Sequence, residues 1–171
     1  TIHVIVNHWP SRWGGEEKSR PRRIAAAKLC RSISDSLFAI NPNAKIIIMG
    51  DLNDDPEDAS VKEFINTNND IGSLKENEFY NPYENMHNPD SIGTLMYRGK
   101  WNLFDQILLS KSLTENSPSS YTFDEAKIYK EDFLIQQEGK YKGSPFRTYS
   151  YDEYISGYSD HLPVYVYFSI K

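Results

Sequence analysis

A lone cysteine, Cys30, excludes an intrachain disulfide, and its place in a stretch of helical apolar spacing suits a small buried side chain better than a nucleophile. No run approaches the roughly 18 consecutive apolar residues of a membrane helix. The opening Thr1-Ile2-His3-Val4-Ile5-Val6 has neither the basic start nor the cleavage site of a signal peptide. These absences predict a soluble chain and leave a secreted or periplasmic setting open. Positive charge is also short. With 19 Lys and Arg against 24 Asp and Glu, the net charge of -5 argues against a protein that holds nucleic acid mainly by a strongly basic surface, without excluding a nuclease. Internal repeats and low-complexity tracts are absent too. The chain lacks an initiating Met and opens inside an apolar, β-branched run, so a preceding segment is expected.

What is present suits one globular domain spanning residues 1–171, with 39% hydrophobic and 25% charged residues. The alternation of Ile2, Val4 and Val6 predicts a strand over residues 3–8, closed by Trp9-Pro10. Ser19-Arg20-Pro21 is expected to open a helix that Ala25, Ala26, Ala27, Leu29, Ile33, Leu37 and Phe38 carry to about residue 40. Lys45-Ile46-Ile47-Ile48-Met49 is a continuous apolar run of strand length, as in a central strand covered on both faces, and it ends at Gly50. Turn-forming Asp, Asn and Pro follow, then a short helix over 59–64. Residues 66–90 read as loop, and 93–97 with 100–109 as two strands about Arg98-Gly99. Residues 112–121 and 140–151 also read as loops. Residues 126–129 and 133–135 read as short strand or helix pieces, and 162–168 as a C-terminal strand. The whole is mixed α and β with strands in the majority.

Polar residues recur where apolar strands end, at His8-Trp9, Asp51-Leu52-Asn53, Phe104-Asp105-Gln106 and Asp160-His161, so a sheet aligning those ends would gather them in one cleft. Their types suit phosphate-ester hydrolysis, which needs charge neutralised on the phosphoryl oxygens, water oriented in line and help for the leaving group. A hard cation, Mg²⁺ or Mn²⁺, does much of this through oxygen ligands, and Asp51 and Asp160 are the natural suppliers. Asn53 can aim its amide at the phosphoryl group without adding negative charge, and His161 is the proton-handling group. Taken singly, Asp51-Leu52-Asn53-Asp54 could be an Asx-type turn and Asp160 a residue that merely precedes a strand. Asp105 is more informative, because an ionised carboxylate in a strand-like run needs a partner, and an imidazole is a good one.

Four segments resemble the motifs of the endonuclease/exonuclease/phosphatase superfamily, in that family's order and over almost the whole chain. They are Val6-Asn7-His8-Trp9-Pro10-Ser11-Arg12, Ile48-Met49-Gly50-Asp51-Leu52-Asn53-Asp54, Trp101-Asn102-Leu103-Phe104-Asp105-Gln106-Ile107-Leu108 and Tyr158-Ser159-Asp160-His161-Leu162-Pro163-Val164. The resemblance implies an α+β fold, the deoxyribonuclease-I-like two-sheet β-sandwich flanked by helices. It implies that His8 assists the phosphate or leaving group, Asp51 binds or aligns the nucleophilic water, and Asn53 orients substrate. It further implies that Asp105 pairs with His161, that Asp160 contributes to the metal site, and that His161 is base or transition-state stabiliser. One departure is expected to matter. The family's N-terminal part, with an Asn on the first strand and a metal-binding Glu soon after, has no counterpart here. An apolar sheet face or edge should then be left bare, to be covered by a second copy or by a missing N-terminal segment, and the isolated chain should be weakly active or inactive.

The resemblance leaves the phosphate ester open and makes nucleic acid neither indicated nor excluded. Arg12, Lys18, Arg20, Arg22, Arg23, Lys28 and Arg31 face only Glu16 and Glu17 over that stretch, as either a solvated helix face or an anion-binding edge. Arg12, Arg20 and Arg23 are candidates to grip phosphate, and Trp101 with Tyr97, Arg98 and Lys100 to form a cationic, aromatic wall, although Trp101 and Tyr97 would serve equally as packing residues. Trp9, Trp13, Tyr80, Tyr83 and Tyr158 could meet sugars, bases or lipid headgroups. Two other classes compete: a non-catalytic binding module that keeps the fold, and a serine hydrolase using Ser159 or Ser110 with His161. Neither serine sits in a Gly-x-Ser-x-Gly elbow.

Overall fold

A computed structural model describes residues 1–116 and 120–170. Strand β1 (Ile2–His8) is followed by the 25-residue helix α1 (Glu16–Ile40) and strand β2 (Lys45–Asp51). A π-helical segment, Ser60–Asn66, leads to two short strands, β3 (Thr67–Asn68) and β4 (Phe79–Tyr80). The hairpin β5 (Leu95–Tyr97) and β6 (Lys100–Asn102) precedes β7 (Asp105–Ser110) and β8 (Tyr121–Ile128). A small hairpin of β9 (Tyr149–Ser150) and β10 (Glu153–Tyr154) comes before the final strand β11 (Val164–Ile170). The architecture is mixed α and β around a five-stranded sheet in the order β1-β2-β7-β4-β3, with β11 and β8 forming a separate antiparallel ribbon. Part of the loop expected over 112–121, residues 117–119, lies outside the described residues.

Several boundaries differ from the sequence reading for local reasons. Helix α1 starts at Glu16, so Pro21 lies inside it rather than opening it. Glu16 and Glu17 in the first turn suit the positive end of the helix dipole, and the Ser19 hydroxyl donates to the Gly15 carbonyl at 2.8 Å. The buried stripe is Ser19, Arg23, Ala27, Cys30, Ser34 and Phe38, spaced by three and four residues, while Leu29 and Ile33 face outward. The strand expected over 100–109 is broken at Leu103-Phe104, where the Asp55 carboxylate accepts the Leu103 N–H at 2.7 Å and takes the chain out of the hairpin. The loop over 66–90 contributes β3 and β4 and buries Tyr80, Asn81 and Tyr83. Residues 126–129 belong largely to β8, and 133–135 overlap a 3₁₀ turn, Asp132–Leu134.

Strand alternation assigns the two sheet faces. Ile46, Ile48 and Leu108 point toward Ala27, Cys30 and Phe38 of α1. Ile47, Met49, Ile107 and Leu109 point the other way, against Ala126, Val164, Val166 and Phe168 of the β8–β11 ribbon. Asp51 and Asp105 continue that second set by parity, and so does His8, because β1 pairs with β2 in the register His8↔Asp51 and β2 with β7 in the register Asp51↔Asp105. On the same face of edge strand β1, Ile2, Val4 and Val6 are exposed. Close approach of β1 and β2 depends on Gly50, with φ +130, where an added Cβ would sit 2.0 Å from the Asn7 carbonyl oxygen.

Candidate active site

The ends of β1, β2 and β7 therefore present His8, Asp51 and Asp105 side by side, and the loop entering β11 brings His161 onto them. His161 Nδ1 lies 2.7 Å from Asp105 Oδ2, and His8 Nε2 lies 3.4 Å from Asp51 Oδ2. Asp51 Oδ1 accepts the Asn53 backbone N–H at 2.9 Å, so the Asx turn anticipated from the sequence exists, within the cluster. Asn53 has φ +51, a conformation Asn tolerates better than most residues. Its side chain is buried, and Nδ2 donates to the Trp9 carbonyl at 2.9 Å, so that amide hydrogen ties two loops together instead of facing a ligand. Trp9 N–H in turn donates to the Asp51 carbonyl. Asp160, next to His161, is exposed and raises the His161 pKa through its charge.

Electrostatics couples these groups. Burial alone would push the His161 imidazole down, but its bond to Asp105 and the charges of Asp105, Asp51 and Asp160 outweigh that and raise its pKa above the ordinary 6.5. Asp51 is also raised above its ordinary 3.8, first by burial and then by Asp105, against the lowering effects of the Asn53 N–H, His161 and His8. Both shifts have the same consequence for stability. Each group favours its protonated form when folded, so the contribution is fullest below 3.8 for Asp51 and below 6.5 for His161, and is lost as pH rises through the raised value.

The sequence of this chain matches the profile of the endonuclease/exonuclease/phosphatase family over residues 1–170. The chain belongs to that family. Its members are generally hydrolases of phosphoester bonds, which supports a phosphoesterase or nuclease type of function at that level. Comparison with curated proteins finds no match. Among the described residues no three His, Cys, Asp or Glu side chains are grouped so as to hold a metal ion. No described helix is long and apolar enough to cross a membrane.

The arginines expected to grip phosphate have other partners in the structure. Arg23 is fully buried, with Nε 2.6 Å from Asp54 Oδ1 and Nη1 donating to Ser19 Oγ. Arg12 spans Asp54, Asp55 and Asp58, donates from Nε to the Asn53 carbonyl at 3.0 Å, and stacks 4.5 Å from the Phe104 ring centroid. Arg20 pairs with Glu16 and Glu17 on the outer helix surface. Trp101 is buried with Lys130 over its ring, so it packs rather than forming a wall. Trp9, Tyr80 and Tyr83 are buried as well, which removes them as ligand contacts and leaves Trp13 and Tyr158 exposed. Ser110 is buried and donates to the Ala44 carbonyl at the opposite end of β7, away from His161.

Two positioning residues escape the sequence reading. Thr94 is fully buried, its Oγ1 accepts the Asp105 N–H at 3.3 Å, and its carbonyl accepts the Leu162 N–H at 2.7 Å, so one residue fixes both ends of the Asp105–His161 pair. Asn7 accepts from Trp9 Nε1 at 3.1 Å and from Cys30 Sγ at 2.9 Å, joining β1 to α1 below the site. A Thr just before a hairpin and an Asn in a strand carry no periodic or compositional signal for such roles.

Proposed function

We propose that the chain is a metal-dependent phosphoesterase that hydrolyses phosphodiesters or phosphomonoesters, with Mg²⁺ or Mn²⁺ as cofactor. The observation that carries the reading is the Asp105–His161 pair at 2.7 Å beside Asp51 on the adjoining strand. The oxygen donors suit a hard cation, since Asp51 and exposed Asp160 would hold it with water and phosphate completing the shell. Once bound, the cation supplies charge neutralisation on the phosphoryl oxygens. The pairing of Asp51 with Asp105 on adjoining strands, which places two carboxylates side by side, supports this fit.

In this reading Asp105 holds His161 by Nδ1 and leaves Nε2, which meets no hydrogen-bond partner among the described residues, to take a proton from the attacking water. The Asp105 carboxylate then stabilises the imidazolium, as in other carboxylate–histidine pairs. His8, with its side chain mostly exposed, contacts the phosphate or leaving group, while Asn53 holds the His8–Trp9 segment against Asp51. The finer fold assignment, a two-sheet sandwich of the deoxyribonuclease-I-like kind, is supported by the stacking of the β8–β11 ribbon on the main sheet.

Chelation tests the reading. EDTA is expected to abolish hydrolysis of a simple phosphodiester and Mg²⁺ or Mn²⁺ to restore it, while added Mg²⁺ raises the thermal unfolding midpoint of the wild type and not of Asp51→Asn. Unchanged activity in chelator would sink the metal assignment. The pH profile gives a second check. Activity should rise through a limb lying above 6.5, because His161 must be neutral to accept a proton and its pKa is raised. Asp105→Asn removes the principal raising group, so that limb should move to lower pH as turnover falls, and a limb that stays in place would exclude His161 as the base.

A further inference from the structure

Beside the His161–Asp105–Asp51 cluster, a cavity of about 680 Å³ opens between the loop after β1 and the β5–β6 hairpin. Arg12 and Phe104 form the wall it shares with the site, since Arg12 donates to the Asn53 carbonyl and Phe104 directly precedes Asp105. The outer walls are Trp13, 86% exposed, and Tyr97, 61% exposed, neither of which stacks on another ring among the described residues. Core packing therefore does not account for them. Arg98 at the hairpin tip is unusual in two ways. It occupies the first position of a two-residue turn with φ +51, followed by Gly99 at +79, where Asn is the favoured residue and a longer side chain is strained. It also meets no carboxylate among the described residues, its guanidinium lying 5.2 Å from the Tyr97 ring centroid, whereas neighbouring Lys100 pairs with Asp90.

Two exposed ring faces and an unpaired planar cation around one cavity have a common complement, a planar heteroaromatic ring that can stack on indole, phenol and guanidinium alike. We propose that this groove receives a nucleobase on the organic side of the ester, which makes the substrate class nucleotides or single-strand ends in place of sugar or inositol phosphates. The proposal rests on the phosphoesterase reading above. A base stacked inside a duplex cannot enter such a groove without being extruded, and a net charge of -5 offers a duplex backbone little attraction.

Titration calorimetry of the whole chain with adenosine 5′-monophosphate, ribose 5-phosphate and a short single-stranded oligonucleotide tests it. The nucleotide should bind about tenfold more tightly than the sugar phosphate, the lower range for one stacked base. Trp13→Ala and Arg98→Asn should each shrink that ratio. Arg98→Asn suits the turn better than Arg does, so its thermal midpoint should be unchanged or higher, which separates loss of binding from loss of fold. Equal affinity for nucleotide and sugar phosphate, or a ratio unchanged in both variants, overturns the groove assignment. An oligonucleotide that binds more tightly than the mononucleotide identifies strand ends as the ligand, and equal binding identifies free nucleotides. Hydrolysis of bis-4-nitrophenyl phosphate, followed in parallel, separates the two readings. Turnover without the affinity ratio removes the groove, and the ratio with neither turnover nor a rise in thermal midpoint on adding Mg²⁺ removes the phosphoesterase.

Discussion

His161→Ala is expected to lower turnover by about 10²- to 10⁴-fold, the range ascribed to one positioned acid–base group, while leaving the unfolding midpoint little changed. The asymmetry follows from where the imidazole sits. Its one side-chain hydrogen bond among the described residues is to Asp105, and the loop that carries it is held independently, by Leu162 N–H on the Thr94 carbonyl and by Ser159 N–H on the Phe146 carbonyl. Removing the ring thus takes away a proton acceptor and not a core contact. The Asp105 side chain is 19% exposed, so its carboxylate can be rehydrated once the ring is gone and does not become a fully buried unpaired charge. If Asp105 acts through His161, adding Asp105→Asn to His161→Ala should lower kcat little further, although each single variant is impaired. Effects that multiply would make Asp105 an independent participant. Near-normal turnover in His161→Ala would remove the assignment of His161 altogether.

The parts of the site that are legible in the sequence are those where a polar residue at a strand end has little structural reason to be there. Asp51 after a continuous apolar run, Asp105 inside a strand-like run and His161 before a strand are each conspicuous against their surroundings, and β1, β2 and β7 align them because their hydrophobic parity is unambiguous. The arginines are not legible in the same way, because charge density along a helix does not reveal which side chains have partners distant in sequence. Arg23 meets Asp54 across 31 positions, and its place in the buried stripe is masked by Leu29 and Ile33, more apolar residues on the exposed side of the same helix. The loop tyrosines are obscured for a similar reason. Tyr83 is buried because its hydroxyl donates to the Tyr165 carbonyl of β11, a contact between segments that sequence spacing cannot anticipate. The Asp54-Asp55-Asp58 cluster just after the Asp51 turn has the look of more active-site acid, yet it is the counter-charge of Arg12 and Arg23.

That network underlies the largest stability effect expected of the molecule. Arg23→Ala should destabilise the fold by about 3–5 kcal/mol, the usual cost of removing one partner of a buried ion pair. Against a total of about 5–15 kcal/mol for a typical protein, this corresponds to a fall in unfolding midpoint of roughly 6–20 °C for a chain of this size. The cause is the carboxylate left behind. Asp54 is 2% exposed, and without Arg23 its side chain retains, among the described residues, Arg12 and the Ser60 hydroxyl, at 3.1 and 2.6 Å. Arg23→Lys should recover little, because a single ammonium cannot reach Asp54 and Ser19 together as the guanidinium does. Arg23→Met with Asp54→Leu should recover part of the loss by removing both charges, but not all, since Arg12 then loses a partner. Urea unfolding gives the magnitude, and KM of the folded fraction gives the interpretation. If Arg23 bound substrate, Arg23→Ala would raise KM; a buried strut leaves KM unchanged and moves only the unfolding curve. Arg98→Asn should behave in the opposite way, with affinity lost and stability kept, so these two variants separate the cation that holds the loop from the one that faces the ligand.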